Sequence, residues 1–160
     1  MITPVLFYRD PKAAIRFLER AFGFETTMLL TDDQGRIGHS ELTYDGAAIS
    51  VAGEWESEAL LGPAKMRSPD TLGGAGSQFL RIGVVEPIDE HCQRARAGGA
   101  TITQAPEDQF YGDRTYRALD PEGHVWNFSQ KVRDVSMTEM QSASGLTAST
   151  SLGPKEGNHD

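Results

Sequence analysis

The chain has one cysteine, Cys92, among 160 residues. A single thiol excludes an internal disulfide and any multi-cysteine zinc or iron–sulfur centre, and it fits a reducing compartment, so a cytoplasmic location is expected. Positive charge is also scarce. Fifteen Lys and Arg against 23 Asp and Glu leave a net charge of −8, which speaks against nucleic acid or an anionic membrane as partner. No stretch approaches the roughly 18 continuous apolar residues of a membrane-spanning helix. The opening "MITPVLFYRDPK" has no basic region followed by a long apolar run, so it does not read as a signal peptide. No P-loop, dinucleotide-binding glycine motif or Ser-His-Asp arrangement is found.

An ordinary core is affordable: 38% of residues are apolar and 17 more are glycine, close to the usual globular share. "TPVLFYR" (3–9) is short, apolar and aromatic and predicts a buried strand. Asp10-Pro11 then opens a helix, with the carboxylate as cap and Pro11 at a position whose N–H has no partner to lose. Ala14, Ile15, Leu18, Ala21 and Phe22 form its apolar stripe, and Gly23 ends it. Residues 24–53 hold two turn signals, Asp32-Asp33-Gln34-Gly35 and Asp45-Gly46, and predict three antiparallel strands. Residues 54–76 lack periodicity and form a long connecting loop. The pattern restarts over 77–130: a strand at "SQFLRIGVV", a helix between Glu86-Pro87 and Gly98-Gly99, then three strands. Asp10-Pro11 and Glu86-Pro87 are 76 positions apart, as are Gly23 and Gly99, which marks an architectural repeat. The fold class expected is α+β, with a domain over 1–130 made of modules at about 1–53 and 77–130. An extension over 131–160 holds a helical turn or two, and 142–160 is too poor in core residues to order itself.

Two βαβββ units, the helix openings, "AGGATI" after the second helix and "YGDRTYRALDPEGHVWNF" near the end together resemble the glyoxalase/bleomycin-resistance/dioxygenase (vicinal oxygen chelate) superfamily, most nearly its PhnB-like or uncharacterised glyoxalase-like branch. The resemblance implies curved mixed sheets around a central cleft, commonly in a homodimer. In metal-dependent members, His, Glu or Gln side chains from both modules converge on a divalent ion. Carried onto this chain, those positions fall on Thr3, Glu41, Phe79 and Asn127, of which Glu41 alone is a good ligand. A carboxylate with a hydroxyl, a phenyl ring and an amide does not hold a divalent transition metal tightly, so no cofactor is expected.

Other candidates follow from strand alternation. Glu41, if enclosed, serves as general base or polar anchor. Arg81 shares a strand face with Phe79 and is placed to meet Glu41 or an anionic ligand. Tyr111, Arg114 and Tyr116 are read as a lip for a ligand or as hairpin-edge packing. His124 is read as closing a turn rather than as a ligand, since lone histidines seldom bind metal. His91 and Cys92 belong to the second helix and to packing, Trp55 to a lid or a dimer contact, and His159 to the tail. The leading expectation is a metal-free protein that binds a small organic molecule. Two others stay open: a lyase, isomerase or dioxygenase with a non-standard site at His39 and Glu41, and a dimeric scaffold without a working cleft.

Overall fold

The computed structural model describes residues 1–56 and 62–153. Strand β1 (Val5–Tyr8) leads into helix α1 (Pro11–Phe17), which continues as a π turn over Leu18–Phe22. Strands β2 (Glu25–Thr31), β3 (Ile37–Tyr44) and β4 (Ala47–Gly53) complete the first module. The second holds β5 (Phe79–Gly83), α2 (Ile88–Ala97), β6 (Thr101–Asp108), β7 (Asp113–Leu119) and β8 (Val125–Lys131). The result is two mixed four-stranded sheets, ordered β1-β4-β3-β2 and β5-β8-β7-β6. β1 runs parallel to β4 as β5 does to β8, so the expected pair of βαβββ modules is present, with neither sheet closed into a barrel.

The predicted helix boundaries have the predicted causes. The Ala13 amide donates to Asp10 Oδ1 at 3.0 Å, Pro11 is the first helical residue, and Gly23 takes φ +77°. The second helix solves the same problem differently. Pro87 is its cap residue and brings no capping side chain. Gln130 of β8 supplies the acceptor instead, its Oε1 taking the Ile88 N–H at 3.2 Å. An orphan helix donor is thereby satisfied from the sheet.

One core serves both modules. Leu6, Tyr8, Leu42, Tyr44, Ile49 and Val51 of the first sheet join Ile82, Tyr116, Trp126 and Phe128 of the second in a single buried cluster with both helices. Rings cross the seam: Phe22 lies 4.8 Å from Phe128, and Phe24 lies 5.8 Å from Trp126, between centroids. Gly98, at the end of α2, is so close to the π turn that a Cβ there would fall 2.6 Å from Ala21 Cβ.

The turn "LDPEGH" ties the last strand to the first. Asp120 is 4% exposed. Its Oδ2 accepts from Tyr8 Oη at 2.6 Å and Trp126 Nε1 at 3.1 Å, and its Oδ1 accepts from the amides of Glu122 and His124. The Glu122 carboxylate in turn accepts from the amides of Arg9 and Asp10 and from Ser68 Oγ. Burial first, and then the facing Asp120 carboxylate, hold the Tyr8 phenol well above its ordinary range.

Beyond β8, α3 (Met137–Ser144) begins with a capping box between Ser136 and Glu139 and ends at Gly145, φ +70°. None of its residues is buried. Residues 154–160, the end of the stretch expected to lack order, lie outside the described residues, as does 57–61 of the connecting loop. Among the described residues no helix is long and apolar enough to cross a membrane.

Asp120→Ala strands two buried side-chain donors and two turn amides, and is expected to cost about 3 kcal/mol, read as a lower urea midpoint. Asp120→Asn should recover only part of this, because an amide nitrogen would have to face groups that donate. Full recovery by Asn would show that the carboxylate is not the hub of the turn.

Candidate functional site

Register assigns the side chains of the second sheet to two faces. Leu80, Ile82, Tyr116, Ala118, Trp126 and Phe128 point to the helices and the core. The opposite face carries three rows across neighbouring strands. Phe79, Val125 and Leu119 make an apolar row. Arg81, Asn127 and Arg117 make the next, with Gln104 of β6 beside Arg117. Gly83, Ser129 and Thr115 follow.

The middle row is chemically distinctive. Asn127 is 5% exposed; its side-chain amide has no hydrogen-bond partner among the described residues, and its polar atoms still reach solvent. Arg81 is occupied: it pairs with Asp113, donates from Nε to Ser129 Oγ at 3.3 Å, and lies 5.8 Å from the Tyr111 ring centre. Its expected contact with Glu41 is not formed. Arg117 has no carboxylate partner among the described residues, and its guanidinium stands 5.8 Å from the Phe79 ring centre. Phe79 itself is 57% exposed. An outward-facing amide without a protein partner among the described residues, set between two guanidinium groups and edged by an exposed ring, is an arrangement for holding an acceptor group.

The remaining predicted residues lie elsewhere. Thr3 is exposed and precedes β1. Glu41 lies on β3 opposite Met28. The strand that takes the place of β8 in the first sheet is β4, whose residues on the face away from the core are Ser50 and Ala52, opposite Val5 and Phe7. Glu41 is thus one strand removed from the position that mirrors Asn127. It is half-exposed rather than enclosed, and meets His39 Nε2 at 3.4 Å. Arg114 points to the helix side, where it donates to Asp89 of α2 and Asp108 of β6 at 2.9–3.0 Å. Those two carboxylates raise its pKa further and make it a strut between α2 and the sheet rather than part of a lip. Tyr116 is fully buried.

The histidines resolve into structural roles. His124 is buried, and its Nε2 donates to the Phe7 carbonyl at 2.9 Å with its ring on Tyr8. It binds backbone, as expected, but backbone from the opposite end of the chain. His91 is fully buried between Tyr116 Oη at 2.6 Å from Nδ1 and the Phe22 carbonyl at 3.2 Å from Nε2. A carbonyl only accepts, so Nε2 carries the proton and Nδ1 accepts from the phenol. Burial pushes the His91 pKa down to about 4 and the Cys92 thiol up.

A cavity of about 270 Å³ adjoins the apolar row. Phe7, His124 and Val125 form one side of it, and the connecting segment from Lys65 to Gln78 forms the other. Trp55 anchors that segment through a two-way backbone bridge to Met66. None of the residues foreseen as ligand-binding lines this cavity.

The four positions onto which the resemblance carried the metal ligands hold a hydroxyl, a half-exposed carboxylate on β3, a phenyl ring and an amide. That set does not fit a divalent transition metal. Among the described residues no group of three His, Cys, Asp or Glu side chains is placed to hold one. Arg117 is the residue that sequence reasoning passed over. Its signal was available: alternation from the core-facing Tyr116 turns Arg117 outward and Arg114 inward.

A family model described as the Glyoxalase/Bleomycin resistance protein/Dioxygenase superfamily matches residues 2–128. The chain is 32% identical over 142 residues to the uncharacterized proteins Mb0911c of Mycobacterium bovis and Rv0887c of Mycobacterium tuberculosis, covering 89% of this chain and 90% and 81% of those relatives. Among solved structures, TioX from Micromonospora sp. ML1 is 29% identical with a TM-score of 0.61, over 82% of this chain and 99% of that one. A glyoxalase/bleomycin resistance protein/dioxygenase from Nocardioides shares the fold at 18% identity and a TM-score of 0.61, over 85% and 86% of the two chains.

The depressed His91 pKa fixes a pH dependence. The unfolded imidazole binds a proton near pH 6.5 and the folded one only near pH 4, so stability is complete above that window and falls as pH drops through it. The loss should approach about 3 kcal/mol at pH 4. Urea titrations from pH 7 to 4 are expected to show this slope in the wild type and a flatter one in His91→Gln. Equal slopes would remove His91 as its source.

Proposed function

The chain belongs to the Glyoxalase/Bleomycin resistance protein/Dioxygenase superfamily, and we propose that it binds a small organic molecule on the open face of β5, β8 and β7 without the superfamily's metal. One observation carries the reading: Asn127, buried and without a hydrogen-bond partner among the described residues, faces outward between Arg81 and Arg117. Its amide reaches solvent and makes no side-chain bond to the described residues, so it is free to bond a ligand's acceptor or donor in place of water. Phe79 and Asn127 occupy two positions where metal-binding relatives carry donors, and they favour stacking and hydrogen bonding instead. We further propose a cytoplasmic homodimer. The lone buried Cys92 supports the compartment, and exposed Met28, Leu29 and Leu30 on the outer strand β2 support self-association.

A second reading rests on the His39–Glu41 contact at 3.4 Å. In it the protein is a lyase, isomerase or dioxygenase with an unusual metal site on the first sheet. Two half-exposed donors fall short of the three protein ligands a catalytic zinc site needs.

The readings separate in one experiment. Protein dialysed against EDTA is screened by thermal shift with aromatic and heteroaromatic compounds, and hits are titrated by calorimetry. Binding should survive the chelator and weaken at least tenfold in Asn127→Ala, with His39→Ala unchanged. Binding lost in EDTA, restored by a divalent ion and abolished in His39→Ala or Glu41→Ala would establish the second reading instead.

A further inference from the structure

The geometry points to the chemical class of the ligand: an organic anion with a short aromatic or apolar body, its carboxylate on Asn127 and Arg117 and its body on the Phe79–Val125–Leu119 row. This inference rests on the function proposed above and sharpens it.

The middle row is rich in donors. Its guanidinium groups cannot accept, and the Asn127 amide offers an N–H₂ beside its accepting oxygen, while the N–H₂ of Gln104 is engaged by Glu107. No carboxylate lies within the row itself. The nearest acidic groups on this face are already engaged. Asp113 pairs with Arg81, and Glu107 accepts from the amides of Gln104 and Gln109. Of the row's two arginines, Arg117 is the one without a carboxylate partner among the described residues, and its guanidinium stands over the Phe79 ring. In a chain of net charge −8, an arginine without a carboxylate partner beside an amide free of protein partners selects for a negative ligand over a neutral or cationic one.

The body follows from the spacing of the rows. Asn127 and Val125 are two residues apart on β8, so the donor row and the apolar row are separated by about 7 Å. A carboxylate joined to a ring by a two-carbon linker spans that distance. Val125 also lines the 270 Å³ cavity, which offers the far side of a ring the apolar side chains of Phe7, Pro69 and Leu72.

Three compounds with one body and different heads test the assignment: 3-phenylpropionate, 3-phenylpropanamide and 3-phenylpropylamine. They are titrated by calorimetry into full-length protein at low and moderate salt. The carboxylate is expected to bind at least tenfold more tightly than the amide, with the amine showing no heat and the affinity falling as salt rises. Arg117→Ala should weaken the carboxylate at least tenfold and Arg117→Lys should recover part of this. Arg114→Ala, on the other face of the sheet, should leave its Kd unchanged. Circular dichroism checks the fold of each variant. Equal binding of the amide, or preference for the amine, overturns the anionic assignment and leaves small-molecule binding standing. Carboxylate binding that is indifferent to both Arg117→Ala and Asn127→Ala overturns the site. Binding of none of the three, in a protein that also gives no hit in the wider screen, overturns both.

Discussion

The Asp120 carboxylate is the constraint on which the arrangement of the two modules depends. A buried charge is tolerable only when nearly every lone pair is satisfied, and Asp120 meets that condition with donors from β1, from β8 and from its own turn. Because the donors come from the first and the last strands, satisfying the charge fixes the two sheets relative to each other. The neighbouring contacts inherit this alignment. His124 reaches the Phe7 carbonyl and Glu122 reaches the amides that enter α1, so the closing turn of the second module also shapes the opening of the first helix.

The local signals in the sequence translated well into structure. Asp10-Pro11, Gly23 and the two hairpin turns each specify a backbone event within a few residues, and each occurs where expected. The side-chain partners were less legible because they are long-range. Nothing near Gln130 announces that it will cap α2, and nothing near His124 announces Phe7. Arg81 and Glu41 illustrate the same limit. Alternation assigns each to a face, but only the three-dimensional register shows that Arg81 finds Asp113 and that Glu41 sits one strand away from the position mirroring Asn127. The cavity was beyond sequence reasoning for the same reason. Its two sides come from separate parts of the chain, and one belongs to a segment without periodicity.

The second sheet separates its packing from its outward chemistry. A phenyl ring, an amide and two arginines share the outward face of β5, β8 and β7, with the arginines flanking the amide across the register. These side chains can change without disturbing the core, because alternate residues of the same strands, Trp126 and Phe128, carry the packing. The period of two lets fold and ligand chemistry vary independently along a single strand.

The bond from Tyr8 to Asp120 spans 112 positions, and that from His124 to Phe7 spans 117. On a ribosome this separation becomes a delay. Strand β1 emerges first and can pair with β4 as soon as the first module is complete, but the acceptor for its buried phenol is made only after most of the second module. At about 5–20 residues per second the wait is several seconds. Until then Leu6, Tyr8 and the inner surface of α1 lack the other half of their core. The first module therefore spends its early life as an unfinished surface, in need of protection that the second module alone can finally supply.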